Sequence, residues 1–199
     1  MTFRVLFVCT GNICRSPLAQ LILAHHLSDI SEIEVVSAGT QALVGSPVPE
    51  PAARLAAEHD LIVEGHRAAQ LDTRAVEAAG LVLTMAREHR THVVQASPRA
   101  IRRTFTLREF ARLVPIAQPQ LPHALSGISP ATVDGALDAA VGLVGSLRGV
   151  TEPPESPADF DVEDPYRRSD DVYRRSFAVL APAAETVAAY LGRAARQSN

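Results

Sequence analysis

Val5-Leu6-Phe7-Val8-Cys9-Thr10-Gly11-Asn12-Ile13-Cys14-Arg15-Ser16-Pro17 places an apolar run, a turn and a helix start in direct succession. The run from Val5 to Val8 has no polar break, which suits a central parallel strand buried on both faces. Gly11-Asn12 reads as the turn. Ser16-Pro17 reads as an N-cap and first helical residue, opening a helix to about Leu27 with Leu18, Leu21 and Ile22 inward.

Strand and helix signals go on alternating from there. Ile33 to Val36 is a second strand, ended by Ser37-Ala38-Gly39-Thr40. Pro49 to His59 is helical, with Ala52, Leu55 and Ala56 on one face. A helix near 73–79 precedes a third strand, Leu81 to Met85, and another near 87–95 follows it. Thr104 to Leu107 is a short fourth strand. Asp170 to about Leu191 is a long final helix that Pro182 should kink or break, with a frayed tail after about residue 192. Such alternation predicts βαβ units with right-handed crossovers. The expected fold is therefore α/β: a single doubly wound domain over 1–199, with a four-stranded parallel sheet and helices on both faces. In such sheets ligands bind beyond the carboxyl ends of the strands, where Cys9 stands. The segment from about 115 to 160 is rich in Pro, Ala, Gly and Ser and reads as an insertion, a helix at about Ala131–Leu147 between loose linkers.

Composition excludes several classes. The 199 residues fit one domain, and 47% hydrophobic with 21% charged residues is ordinary for a folded globular chain. A net charge of −3 gives no basic excess, so no nucleic-acid partner is expected. No apolar run approaches the ~20 residues of a membrane helix, so no membrane insertion is expected. The first residues read as a strand rather than a signal peptide, which predicts a cytoplasmic, reducing location. There cysteines tend to be catalytic, metal-binding or inert. Cys9 and Cys14 alone make a poor zinc site, so no metal or cofactor is expected and catalysis leads. His89 and His92, three apart on a surface helix with no Cys or carboxylate partner in motif, read as solvated.

The loop from Cys9 to Arg15 has the parts of an anion site. A phosphate dianion needs many donors at once, and a strand-to-helix turn supplies inward backbone N–H groups at the positive end of a helix dipole. Gly11 leaves no side chain over the anion. Arg15 adds a planar fork that matches two phosphate oxygens. The same field favours a thiolate, the nucleophilic form of cysteine. Ser16 is placed to donate a hydrogen bond to the Cys9 sulfur and steady it as a leaving group.

From Val5 to Pro17 the chain resembles the low-molecular-weight protein tyrosine phosphatases of bacterial type. The resemblance continues through Ser37-Ala38-Gly39-Thr40, Gly65-His66-Arg67-Ala68-Ala69-Gln70, Leu83-Thr84-Met85 and Asp164-Pro165-Tyr166. It covers roughly 3–113 and 161–192. It implies hydrolysis of phosphotyrosine on a protein substrate through a phosphocysteine intermediate, with Cys9, Arg15 and Asp164 catalytic. Asp164 would protonate the departing tyrosyl oxygen and then activate water, a role typically worth roughly 10²–10⁴-fold. Thr10, Gly11, Asn12, Ile13, Cys14 and Ser16 would form the phosphate loop, Ser37 and His66 would support it, and Tyr166 would wall the cleft. Cys14 is implied as a partner for Cys9 in a reversible disulfide, against a reading as apolar filler. Ala69 and Ala86 depart from the family's frequent Arg and acidic residue, which removes a supporting ion pair. Arg167 and Arg168 stand where the family often has a second aromatic. The expected assembly is a monomer or weak dimer. Because the 115–160 segment ends just before Asp164, it is expected near the rim of the cleft.

Arsenate reductases and protein-arginine phosphatases use related loops. Thioredoxin-coupled arsenate reductases need a downstream cysteine, and none follows Cys14. The arginine phosphatases tend to carry Thr where this chain has Ile13. A non-catalytic phosphate-binding module would need neither the thiolate nor the acid.

Overall fold

Four strands form one parallel sheet in the order β2-β1-β3-β4: β1 is Phe3–Cys9, β2 Ile33–Gly39, β3 Leu81–Thr84 and β4 Thr104–Thr106. This computed structural model describes residues 2–128, 132–152 and 154–197. Alternation along β1 sends Val5 and Phe7 into the larger core and Leu6 and Val8 into a smaller one on the opposite face. Both faces of β1 are thus dry, as its unbroken apolar run requires. β1 pairs with β2 on one side and β3 on the other, so the order reverses beside it and opens a crevice beyond Cys9.

The helices are α1 (Arg15–His26), α2 (Glu50–Ala57), α3 (Thr73–Ala78), α4 (Arg87–Ala96), α5 (Leu107–Ala117), α6 (Leu121–Leu125), α7 (Val133–Ser146) and α8 (Asp170–Arg196). The expected elements are all present, within a few residues of their expected ends. Helix α5 adds to them. Its start is a capping box, in which Thr106 Oγ1 accepts from the Glu109 N–H and the Glu109 carboxylate accepts from the Thr106 N–H. Phe110, Leu113 and Val114 then bury one face.

Three expectations are corrected. Helix α8 runs unbroken through Pro182, because Phe177, Leu180, Ala184, Val187 and Leu191 form a continuous buried face. Packing along that face outweighs the ~3 kcal/mol that an interior proline typically costs. Nor does the chain fray at 192: α8 continues to Arg196, Ala194 and Ala195 are buried, and Arg196 meets Asp29 at 2.9 Å. The third correction concerns 115–160. The segment begins inside α5, and α7 packs against α5, α6 and α8 rather than at a cleft rim. Its side chains Val133, Ala136, Leu137, Ala140, Val141 and Val144 are buried, and Tyr190 of α8 donates to the Ala140 carbonyl at 3.0 Å. The expected helix start at Ala131 lies outside the described residues. The stretch expected as a loose linker before α7 holds a 3-10 turn at Gln118–Gln120 and then α6. At the far end Arg148 stacks on Phe105 at 3.6 Å and meets Glu109 at 2.8 Å, fastening the exit of α7 to β4 and α5. Among the described residues no helix is long and apolar enough to cross a membrane.

Candidate active site

The loop between β1 and α1 wraps around the Cys9 sulfur. The Asn12 N–H points at Sγ from 3.2 Å, and Ser16 Oγ lies 3.0 Å from it. Ser16 Oγ also accepts from Asn12 Nδ2 at 2.9 Å, so its own proton is the one directed at sulfur. Helix α1 begins at Arg15 with no side-chain cap, which corrects the reading of Ser16 as N-cap. The hydroxyl serves sulfur instead, and the uncapped N–H groups of the first turn remain available to an anion.

The sharp turn falls on Asn12, not on Gly11. Asn12 has φ of 54°, a left-handed conformation rare for a residue with a side chain, whereas Gly11 is not in that region. A Cβ on Gly11 would meet Ile13 at an ordinary 3.5 Å. Asn12 is held in place by every polar group it owns. Besides Ser16, Nδ2 donates to Ser37 Oγ at 2.9 Å, Oδ1 accepts from the Ala69 N–H at 2.8 Å, and its carbonyl accepts from His66 Nε2 at 2.7 Å. Ser37 passes its own proton to Gln20 Oε1 at 2.6 Å. This over-determination sustains a costly backbone conformation next to the Cys9 sulfur. Gly39, ending β2, is required by close approach: a Cβ there would lie 2.4 Å from the Thr10 carbonyl. The N–H groups of Thr40, Gln41 and Leu43 then bond the carbonyls of Cys9, Thr10 and Gly11, tying that strand end to the loop.

Arg15 is 5% exposed and joins the loop to the segment before α8. Nη1 donates to the Val162 carbonyl at 3.1 Å, and Nη2 meets Asp164 Oδ2 at 2.6 Å. Its Nε is buried with no partner among the described residues. A buried donor of this kind is costly unless something accepts from it, and a phosphoryl oxygen in the cradle fits that need. Asp164 is half exposed and caps its own turn by accepting from the Tyr166 N–H at 3.1 Å. The segment that carries Asp164 is held from behind as well: Val162 N–H bonds Met85 O at 2.7 Å, and Asp161 pairs with Arg87 at 3.0 Å. Asp161 and Gln20 carry no sequence signal that separates them from ordinary surface polar residues.

A cavity of about 220 Å³ opens above Cys9, lined by the loop together with Gln41, Leu43, Asp164 and Tyr166. Among the described residues none from 115–160 lines it. Ile13, Leu43 and the ring of Tyr166 give it an apolar wall. Arg167 lies over the Tyr166 ring at 5.1 Å. Cys9 and Cys14 are both free thiols, and they differ in surroundings. The Cys14 sulfur lies 3.8 Å from Tyr173 Oη, and burial pushes its thiol up to about 12. Ala69 supports the loop through its backbone alone. His89 corrects the expectation of a solvated side chain: it is buried, with Nε2 2.9 Å from Thr10 Oγ1. The helix pattern could have flagged it, since His89 and Val93 share one face of α4. Among the described residues no group of three or more His, Cys, Asp or Glu side chains is placed to hold a metal ion.

Comparison with known proteins agrees with this geometry. The family model described as low molecular weight phosphotyrosine protein phosphatase matches residues 4–123. A protein-arginine-phosphatase of Geobacillus stearothermophilus is 39% identical over 110 residues, which are 55% of this chain and 72% of that protein. The low molecular weight protein-tyrosine-phosphatase Wzb of Escherichia coli (strain K12) is 42% identical over 94 residues, 47% of this chain and 62% of Wzb, less than two thirds of its length. A solved low molecular weight protein tyrosine phosphatase from T. tengcongensis superposes with a TM-score of 0.64 at 28% identity, covering 94% of this chain and 97% of the other. The match to the family model stops at residue 123, well before Asp164, whereas the superposition covers 94% of the chain.

Proposed function

The chain belongs to the low molecular weight phosphotyrosine protein phosphatase family, and on that premise we propose that it hydrolyses phosphotyrosine on protein substrates with Cys9 as nucleophile. The observation that carries the reading is the Cys9 sulfur at the floor of a donor-lined cradle, with Asp164 and Arg15 2.6 Å apart at its mouth. In the first step sulfur attacks phosphorus, the P–S bond forms and the P–O bond to tyrosine breaks. The Asp164 carboxyl gives its proton to the departing oxygen. In the second step Asp164 takes a proton from water, whose oxygen attacks phosphorus. The P–S bond breaks, and sulfur leaves as a thiolate met by the Ser16 hydroxyl and the Asn12 N–H. Arg15 and the N–H groups at the start of α1 hold the equatorial oxygens throughout.

The substrate choice rests on Ile13. With Leu43 and Tyr166 it gives the cleft apolar walls suited to an aryl ring, and it offers no polar partner to a guanidinium. The likeness to a protein-arginine-phosphatase makes phosphoarginine the competing substrate. We place the enzyme in the cytoplasm, acting as a monomer or weak dimer without metal or cofactor. The test compares wild type and Cys9→Ser on an aryl phosphate, then wild type and Ile13→Thr on phosphotyrosine and phosphoarginine peptides. Turnover falls by about 10⁴-fold or more in Cys9→Ser with the fold intact; full activity there would refute the mechanism. Wild type prefers phosphotyrosine, and Ile13→Thr narrows the preference. A wild-type preference for phosphoarginine would overturn the substrate assignment and leave the chemistry standing.

A further inference from the structure

His89 is a buried titratable side chain that the two-step chemistry does not use. It lies on the first turns of α4 and is 2% exposed. Its Nε2 is 2.9 Å from Thr10 Oγ1, and the same oxygen is 3.4 Å from Arg15 Nη2. Its Nδ1 is buried with no partner among the described residues.

A hydroxyl has one proton and two lone pairs, and a guanidinium can only donate. Arg15 therefore takes one lone pair of Thr10, which leaves two arrangements for His89. In one, Thr10 donates to a bare Nε2, and the ring proton sits on Nδ1 with nothing to accept it. In the other, Nε2–H donates to the second lone pair of Thr10, and Nδ1 is bare. Orphaned buried N–H groups are rarer than under-satisfied acceptors. Glu88 Oε1, which can only accept, lies 3.5 Å from Nε2 and also favours a proton there. The orphaned Nδ1 and the Glu88 carboxylate both select the second arrangement. With both lone pairs filled, the Thr10 proton has no acceptor left among the described residues and is free for a group inside the cavity that Thr10 lines.

We propose that His89 is a positioning residue: by donating from Nε2 to Thr10 it turns the Thr10 hydroxyl proton towards the phosphoryl oxygens and makes Thr10 a donor of the cradle. This rests on the phosphatase reading of the Cys9 loop. The charges facing the ring come from Arg15 on α1, Asp161 and Asp164 on the acid segment, and Glu88 and His92 on α4 itself. Burial first, and the Arg15 cation second, hold the imidazole pKa down at about 4, so near neutral pH the ring carries one proton. The network decides which nitrogen holds it.

The first test reads wild type without turnover. A long-range proton–nitrogen correlation spectrum near neutral pH, with and without inorganic phosphate, should show His89 protonated on Nε2; an Nδ1–H tautomer overturns the proposal. The second uses inhibition by inorganic phosphate. Thr10→Val should weaken phosphate binding about tenfold, the loss of one hydrogen bond to a charged group. His89→Leu should weaken it by a similar factor, and the double variant no further. His89→Gln, whose amide can donate from the Nε2 position, should stay within about threefold of wild type, which also covers the case in which His89→Leu does not fold. Multiplying effects in the double variant, or wild-type phosphate affinity in Thr10→Val, would overturn it. A wild type that binds no phosphate would count against the phosphatase reading itself, whereas normal binding with the wrong tautomer counts only against this proposal.

Discussion

The Cys9–Arg15 loop and helix α7 carry different burdens in this molecule. In the loop the defining groups are polar and face one another across a few ångströms: the Cys9 sulfur, the Asn12 amide, the Ser16 hydroxyl and the Arg15 guanidinium. In α7 the defining groups are apolar and face α5, α6 and α8, with a buried polar contact at the Ala140 carbonyl. The loop is held in a strained turn by hydrogen bonds, and the helix is held by burial. The contrast implies that damage to the loop should be read in rate and damage to α7 in stability.

Asp164→Asn tests the first half. Its carboxyl is half exposed, so stability should change little, while turnover of an aryl phosphate with a poor leaving group should fall roughly 10²–10⁴-fold. Steady-state kinetics beside thermal melts checks this, and an unchanged rate would move the acid role elsewhere. Leu137→Ala tests the second half. Leu137 is fully buried, so the change should cost about 2–5 kcal/mol in denaturant unfolding, with activity per folded molecule retained. By the same logic, deleting about 118–156 should compromise folding, not merely alter selectivity, because it strips the cover from α8. Aryl phosphatase activity surviving such a deletion would break the comparison.

His89 sits where the two regimes meet. Its pKa of about 4 lies below the ordinary 6.5 of histidine, so the unfolded chain takes up the proton first as pH falls. The stability it contributes is present above about 6.5 and is lost as pH falls through about 4. Urea titrations across this window should show His89→Gln with the weaker pH dependence, by up to ~3 kcal/mol. An identical dependence in both proteins would show that other groups set it. The smallest effect belongs to Tyr190→Phe, which removes the bond from Tyr190 Oη to the Ala140 carbonyl and should cost about 1–3 kcal/mol with kinetics unchanged.

Much of this architecture is legible in the chain. The unbroken run Val5–Val8 suits a strand dry on both faces, and a thiol and a guanidinium flanking a strand-to-helix turn suit an anion at its centre. Helix α5 is equally open to reading, since Thr106 and Glu109 mark its start. The tail and α7 are less so, because a Pro- and Gly-rich composition reports local preference and not the buried face waiting for it.

By itself, then, the sequence determined the order of elements, the sheet and the place of Cys9, because periodicity and turn chemistry act over a few residues. Tertiary structure decided which side chains beyond the loop complete the site. Asn12 is the turning residue because Ser16, Ser37, His66 and Ala69 converge on it. His89 meets Thr10 from behind the cradle because α4 presses it there. Segment 115–160 belongs to the core because α8 offered a face to cover. Apart from the bond between Asn12 and Ser16, each is a contact between residues far apart in the chain, and no local propensity encodes it.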